Sequence, residues 1–271
     1  MSAIAGRTML ITGAASGVGR LLAARGAEAG ASLVLWDIDR ARLDAVAANL
    51  RARHGGIVHA QAVDVADRAA VRDAAVHTRA AAGPVDILVN NAGIVSGRAF
   101  LDIADDAIQA TFAVNTLALY WTTRAFLPDM IRRNRGHVVT MASAAGLVGV
   151  ARQTDYAASK HAAVGFDESL RQELRRIAPG VVTTVVCPFY IDTGMFAGVK
   201  SRAPRLLPIL KEATVADRIM RGIRRDERRV IMPRLVGLLP ALRVLPVSMF
   251  DRVLDLFGVN SGMDGFTGRA R

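Results

Sequence analysis

Residues 8–19 read Thr8-Met9-Leu10-Ile11-Thr12-Gly13-Ala14-Ala15-Ser16-Gly17-Val18-Gly19. An apolar run enters a glycine-rich turn, and an Ala/Leu/Arg stretch follows. This predicts a buried strand, a sharp turn and the start of a helix. Gly13 permits the turn, Gly17 lets backbone approach a ligand closely, and Gly19 allows the helix to pack on the strand. The N–H groups of this turn, which holds Ser16 and Val18, and the positive end of the helix dipole favour phosphate. A plain βα turn can carry the same glycines. The place of this turn at the head of a strand–helix series argues for a dinucleotide.

That series runs through the first 190 residues. Strand candidates are Thr8–Thr12, Ser32–Trp36, Ile57–Ala62, Ile87–Asn90, His137–Met141, Val181–Cys187 and Val230–Met232. Ala-rich helical stretches separate them. Strands alternating with helices give βαβ units with right-handed crossovers. The expected fold is α/β: a single-domain, Rossmann-type, doubly wound and mostly parallel seven-stranded sheet with helices on both faces, spanning 1–271. Gly194, Gly198, Pro204 and Pro208 mark 189–210 as a loop or lid over a substrate. The stretch 233–271 reads as a proline-punctuated C-terminal extension.

Asp37 ends the second strand, 18 residues beyond Gly19. A carboxylate at about this offset accepts hydrogen bonds from ribose hydroxyls and repels a 2′-phosphate. Neither Ser16 nor Ile38 offers a positive charge to hold that phosphate. NAD(H) is therefore favoured over NADP(H), with a helix-capping or turn aspartate as the plainer alternative. Asp64 and Val65 follow the third strand, where they suit an adenine contact or, equally, a turn. Asn90, Asn91, Ala92 and Gly93 stand at the end of the fourth strand, after the buried run Asp86–Val89, and suit either a backbone crossing a ligand or a simple turn.

Ser143 ends the fifth strand run, and Tyr156-Ala157-Ala158-Ser159-Lys160 opens a long helix thirteen residues later. The i, i+4 spacing puts Tyr156 and Lys160 on one helical face. An ammonium beside a phenol is expected to lower the phenol's pKa from ~10. Such a base near neutral pH is worth ~10²–10⁴ in rate. Ser143 is placed to orient a carbonyl or alcohol oxygen toward Tyr156.

Taken together, the glycine turn at 12–19, Asn90–Gly93, Asn115, Ser143 and the Tyr156/Lys160 pair resemble the short-chain dehydrogenase/reductases over about residues 6–195. The resemblance implies that Tyr156 is the catalytic acid/base. It implies that Lys160 tunes Tyr156 and holds the nicotinamide ribose, and that Ser143 holds the substrate oxygen. Asn115 would support a water linking Lys160 to solvent. Pro188, Ile191 and Thr193 fit the segment that holds the carboxamide, although Phe189 stands where the family has glycine. Cys187 reads as a small buried hydrophobe rather than a nucleophile. Leu35–Ile38, Thr193–Phe196 and Phe257–Phe266 resemble a narrower branch of retinol and hydroxysteroid dehydrogenases. That points to a lipophilic alcohol or carbonyl substrate, with Phe189, Tyr190, Met195 and Phe196 in its pocket. The resemblance also implies a homodimer or homotetramer built on the helices carrying Asn115 and Tyr156. Rival readings are an NADP-dependent carbonyl reductase, a non-catalytic dinucleotide sensor of the same fold and a membrane-surface interaction protein.

Composition agrees with a folded enzyme: 52% of the 271 residues are hydrophobic and 22% charged, enough for a large core and too apolar for disorder. One cysteine excludes an intrachain disulfide, and the five scattered histidines show no ligand spacing, so no metal site is expected. The opening residues lack a signal-peptide pattern and no stretch holds ~20 uninterrupted apolar residues, so a cytoplasmic protein is expected. Net charge is +11, and +8 of it falls between Lys200 and Arg271. Two readings stand: a solvated arginine-rich surface, or peripheral contact of the basic tail with an anionic membrane. No helix-turn-helix, RNP or zinc-finger signature accompanies the charge, so nucleic acid is not an expected partner.

Overall fold

In the computed structural model, which describes residues 3–268, seven strands form one sheet: β1 (Thr8–Thr12), β2 (Ser32–Asp37), β3 (Val58–Ala62), β4 (Ile87–Asn90), β5 (Gly136–Met141), β6 (Val181–Pro188) and β7 (Arg229–Met232). Their order is β3-β2-β1-β4-β5-β6-β7. Every pairing is parallel, with Met9 opposite both Leu33 and Ile87, and Val138 opposite Thr183. The sheet is thus wholly rather than mostly parallel, because a helical crossover joins each strand to the next.

Alternate strand residues feed two cores. Met9, Ile11, Leu33 and Leu35 pack with Leu22 and Ala23 of α1 (Gly17–Glu28), Leu43 of α2 (Arg40–His54) and Ile219 of α7 (Glu212–Arg224). Leu10, Val34 and Trp36 point the other way, onto Val71 of α3 (Arg68–Ala82) and Phe126 of α5 (Ala118–Arg132). Each fully buried aliphatic or aromatic side chain contributes roughly 1.5–3 kcal/mol. Burial on both faces explains why the strands read as continuous apolar runs rather than alternating ones.

Four further helices complete the described chain. α4 (Asp105–Phe112) runs through a π-helical segment, Ala113–Leu117, into α5. α6 (Thr154–Ile177) lies against β6. The C-terminal stretch forms a short α8 (Leu239–Leu242) and α9 (Val247–Leu256). The chain reverses its winding direction between β1 and β4. Parallel α/β sheets bind ligands at such a point, beyond the carboxyl ends of the strands.

Candidate active site

The glycine turn between β1 and α1 takes the shape its sequence requires. Gly13 and Gly17 sit at φ +66° and +52°, where side chains are disfavoured. A Cβ on Gly19 would lie 2.1 Å from the Gly13 carbonyl oxygen, so helix and turn touch backbone to backbone. The segment after β4 latches this turn from the side. Thr12 Oγ1 accepts hydrogen bonds from the N–H groups of Asn91 and Ala92, each at 3.0 Å. Asn91 Nδ2 donates to the Thr12 and Gly13 carbonyls at 2.9 and 3.1 Å. Asn90 faces away, bonded to Thr122 and Thr123 of α5.

Asp37 closes the far side. Its Oδ2 accepts from Ala15 N–H at 2.8 Å, and Oδ1 accepts from Asp39 N–H at 3.0 Å. It therefore props the turn as well as facing the cleft; each oxygen keeps a lone pair for a further donor. Asp39 takes the cap of α2. Asp64 Oδ1 accepts from Ala66 N–H at 2.9 Å, so the turn role foreseen for it is present. Asp64 and Val65 both stand on the cavity wall.

β5 stops at Met141, as the strand candidate did, and Ser143 just beyond it caps a single 3₁₀ turn by accepting from Ala145 N–H at 3.1 Å. This turn aims Ser143 at Tyr156 across the mouth of β5. Tyr156 and Lys160 are buried, 5% and 4% exposed. Lys160 Nζ donates to the Met141 carbonyl at 2.8 Å and stands 5.7 Å from the centre of the Tyr156 ring. The expected lowering of the tyrosine is not met by the protein's own groups. Burial pushes the Tyr156 phenol up to about 12, with the Ser143 hydrogen bond pulling the other way. Burial also pushes the Lys160 ammonium down to about 8. Both shifts have one cause: each group loses solvation of its charged form.

Asn115 lies in the π-helical segment, a feature common at functional sites. Its side chain clamps Ile94 both ways: Oδ1 accepts from Ile94 N–H and Nδ2 donates to Ile94 O, each at 2.9 Å. Nδ2 also donates to Ser159 Oγ at 3.0 Å. Gly93 occupies the gap between, where a Cβ would sit 3.2 Å from Asn115 Oδ1 and 3.5 Å from Lys160 Nζ.

On the opposite wall, the Phe189 N–H donates to Met232 O at 2.7 Å and prolongs the β6–β7 ladder. Ile191 then pairs with Leu210, closing the base of the loop. Thr193 faces Gly17, whose Cβ would meet the threonine methyl at 3.4 Å. Phe196 is the hub of an aromatic cluster, edge-on to Tyr156 at 5.8 Å and to Tyr190 at 5.1 Å. Burial raises Cys187 to about 12, leaving it no nucleophilic character near neutral pH.

These walls enclose a cavity of about 620 Å³. Lining it are Gly13, Ser16, Gly17, Val18, Asp37, Asp64, Val65, Asn91, Ala92 and Gly93 at one end. Ser143, Tyr156 and Lys160 stand in its wall with Pro188, Phe189, Tyr190, Ile191, Thr193, Met195 and Phe196. Gly19 and Asn115 stand behind the wall and support it. The C-terminal stretch completes the pocket with Leu235, Leu239, Val253, Leu254 and Phe257. Gln153 was missed by sequence reading; it sits one turn before Tyr156, and that spacing was the available signal.

The short chain dehydrogenase family model matches residues 7–204. Mouse epidermal retinol dehydrogenase 2 is 43% identical over 270 residues, 99% of this chain and 87% of that protein. Among solved structures, a short-chain dehydrogenase/reductase from Burkholderia phymatum in complex with NAD superimposes with TM-score 0.82 at 29% identity, covering 92% of this chain and 96% of that one. A short-chain dehydrogenase from Sphingobium yanoikuyae in complex with NADPH gives 0.75 at 29% identity, covering 92% of each chain. With the parallel sheet, the glycine turn and the Ser–Tyr–Lys corner meeting in one cleft, this chain belongs to the short-chain dehydrogenase/reductases, oxidoreductases that use a nicotinamide dinucleotide.

Proposed function

We propose that the protein is an NAD-dependent dehydrogenase of lipophilic alcohols, of retinoid, steroid or fatty-alcohol type. The observation that carries this reading is the single cavity shared by the glycine turn and Tyr156, walled elsewhere by apolar side chains. The residues present fit a dinucleotide, because glycines at 13, 17 and 93 keep Cβ atoms out of its path. Ser16, Val18 and Asn91–Gly93 lie along that path, with Asp64 and Val65 at the adenine end. Asp37 holds the adenosine ribose and disfavours a 2′-phosphate. Pro188, Ile191 and Thr193 hold the nicotinamide end. The bound dinucleotide supplies the hydride acceptor or donor.

The protein's own groups manage the proton. In oxidation the Tyr156 oxygen takes the proton of the substrate hydroxyl, which Ser143 orients; in reduction Tyr156 returns it. Lys160 stabilises the phenolate, and Asn115 fixes the backbone at Ile94 beside it. Phe189, Tyr190, Met195 and Phe196 form the substrate side. Segment 189–210 acts as the lid, and 233–271 completes the pocket from the other side.

A homodimer or homotetramer built on the helices carrying Asn115 and Tyr156 is supported by exposed Leu117 and by exposed Tyr120, whose ring packs edge-on against Phe166 of α6. Exposed Val244, Val247 and Leu256, with Arg243 and Arg252 among them, support peripheral membrane contact by an otherwise cytoplasmic protein.

Tyr156→Phe tests the core of this reading. Turnover should fall at least ~10³-fold while NADH binding, followed by fluorescence, survives. Turnover at the wild-type rate would sink the mechanism. In the same assay NAD should outperform NADP; a strong NADPH preference would remove Asp37 from its role and favour the carbonyl-reductase reading.

A further inference from the structure

The pocket is apolar on its substrate side apart from the catalytic corner, with one exception. Gln153 is 1% exposed and Tyr190 8% exposed, and both line the cavity. Gln153 Nε2 donates to Tyr190 Oη at 3.2 Å. Among the described residues nothing accepts the Tyr190 hydroxyl proton, and nothing donates to Gln153 Oε1. Burying an amide and a phenol in an apolar wall is costly unless their hydrogen-bonding capacity is used. Packing alone does not call for them, since Phe and Leu fill such walls without polar atoms.

Their position is fixed from two sides. The Tyr190 ring packs edge-on against Phe189 at 4.7 Å and against Phe196 at 5.1 Å. Gln153 accepts the Ala157 N–H on its carbonyl at 2.6 Å, which ties it to the first turn of α6, the turn that carries Tyr156. Phe196 stands between the two tyrosine rings. A substrate whose reacting oxygen meets Tyr156 and Ser143 and whose skeleton lies along Phe196 therefore brings a second position within reach of the Gln153–Tyr190 pair.

We propose that this pair is a specificity element that binds a second oxygen function, a hydroxyl or carbonyl, on an otherwise apolar substrate. The phenol donates to that oxygen, and the amide carbonyl accepts from it when it is a hydroxyl. The preferred substrate class is thus a lipophilic diol or hydroxyketone rather than a mono-alcohol. This rests on the dehydrogenase reading above and narrows it.

The test compares kcat/KM for matched fused-ring or long-chain alcohols with and without a second oxygen, in a set that varies its distance from the reacting carbon. Wild-type enzyme should prefer at least one bifunctional member by ten-fold or more, expressed mainly in KM. In Tyr190→Phe that ratio should fall below about three-fold. Gln153→Met should lower it too, and NADH binding serves as the folding control for both variants. A ratio that stays at the wild-type value in Tyr190→Phe overturns the proposal. Wild-type turnover of both members without preference overturns the pair's role alone. Failure to turn over any member with either cofactor overturns the dehydrogenase reading as well.

Discussion

Lys160 donates its ammonium proton to the Met141 carbonyl at 2.8 Å, joining the second turn of α6 to the last residue of β5. One hydrogen bond does not offset the loss of water around a buried charge. The lysine is retained at a cost to stability, as functional sites often are.

Lys160→Met should therefore separate stability from activity. The folded lysine sits at about 8, below its ordinary 10.5. The unfolded chain then binds more protons between these values, so wild-type stability rises with pH through that window. The penalty is fully present below it. Lys160→Met removes the penalty, and its thermal midpoint at pH 7 should exceed that of wild type. The gap should shrink from pH 8 to 10.5, while turnover falls at least ~10²-fold. A pH-independent gap, measured by calorimetry, would contradict this.

Asp167 is a second buried titratable group, remote from the reaction. Its Oδ2 accepts from Thr183 Oγ1 at 3.3 Å, while Oδ1 has no hydrogen-bond partner among the described residues. Burial raises it from 3.8 to about 7. Here the folded state holds the proton that the unfolded chain has lost, so stability falls as pH rises from about 4 to about 7. Asp167→Asn should match wild type near pH 4 and gain in relative stability up to pH 7, then hold level. Urea titrations at four pH values would show it. A constant difference would mean that the carboxyl is not protonated at neutral pH.

Gly19→Ala should damage the fold and the cofactor site together. The added methyl would stand 2.1 Å from the Gly13 carbonyl oxygen, a backbone atom that cannot move without reshaping the turn. A loss of ~1–3 kcal/mol is expected, with NADH affinity reduced at least ten-fold. Gly165→Ala is the contrast. It lies exposed in α6 with nothing within 4 Å of the new methyl. That change should stabilise by ~0.5–1 kcal/mol through helix propensity. Equal effects at the two positions would refute the packing argument.

What the chain revealed unaided is local. Strand positions, the glycine turn and the Tyr156/Lys160 spacing depend on near neighbours, and β1 and β4 fall where the apolar runs placed them. Contacts between distant segments were not legible. Asn91 reaches across 79 residues to lock Thr12, and Gln153 meets Tyr190 across 37. Leu254 and Phe257 join the pocket from the far end of the chain. The sign of the Tyr156 shift also belongs to the folded state: spacing brings the lysine near, but burial sets the direction against the pull of the Ser143 hydrogen bond, and burial is a property of the packed whole.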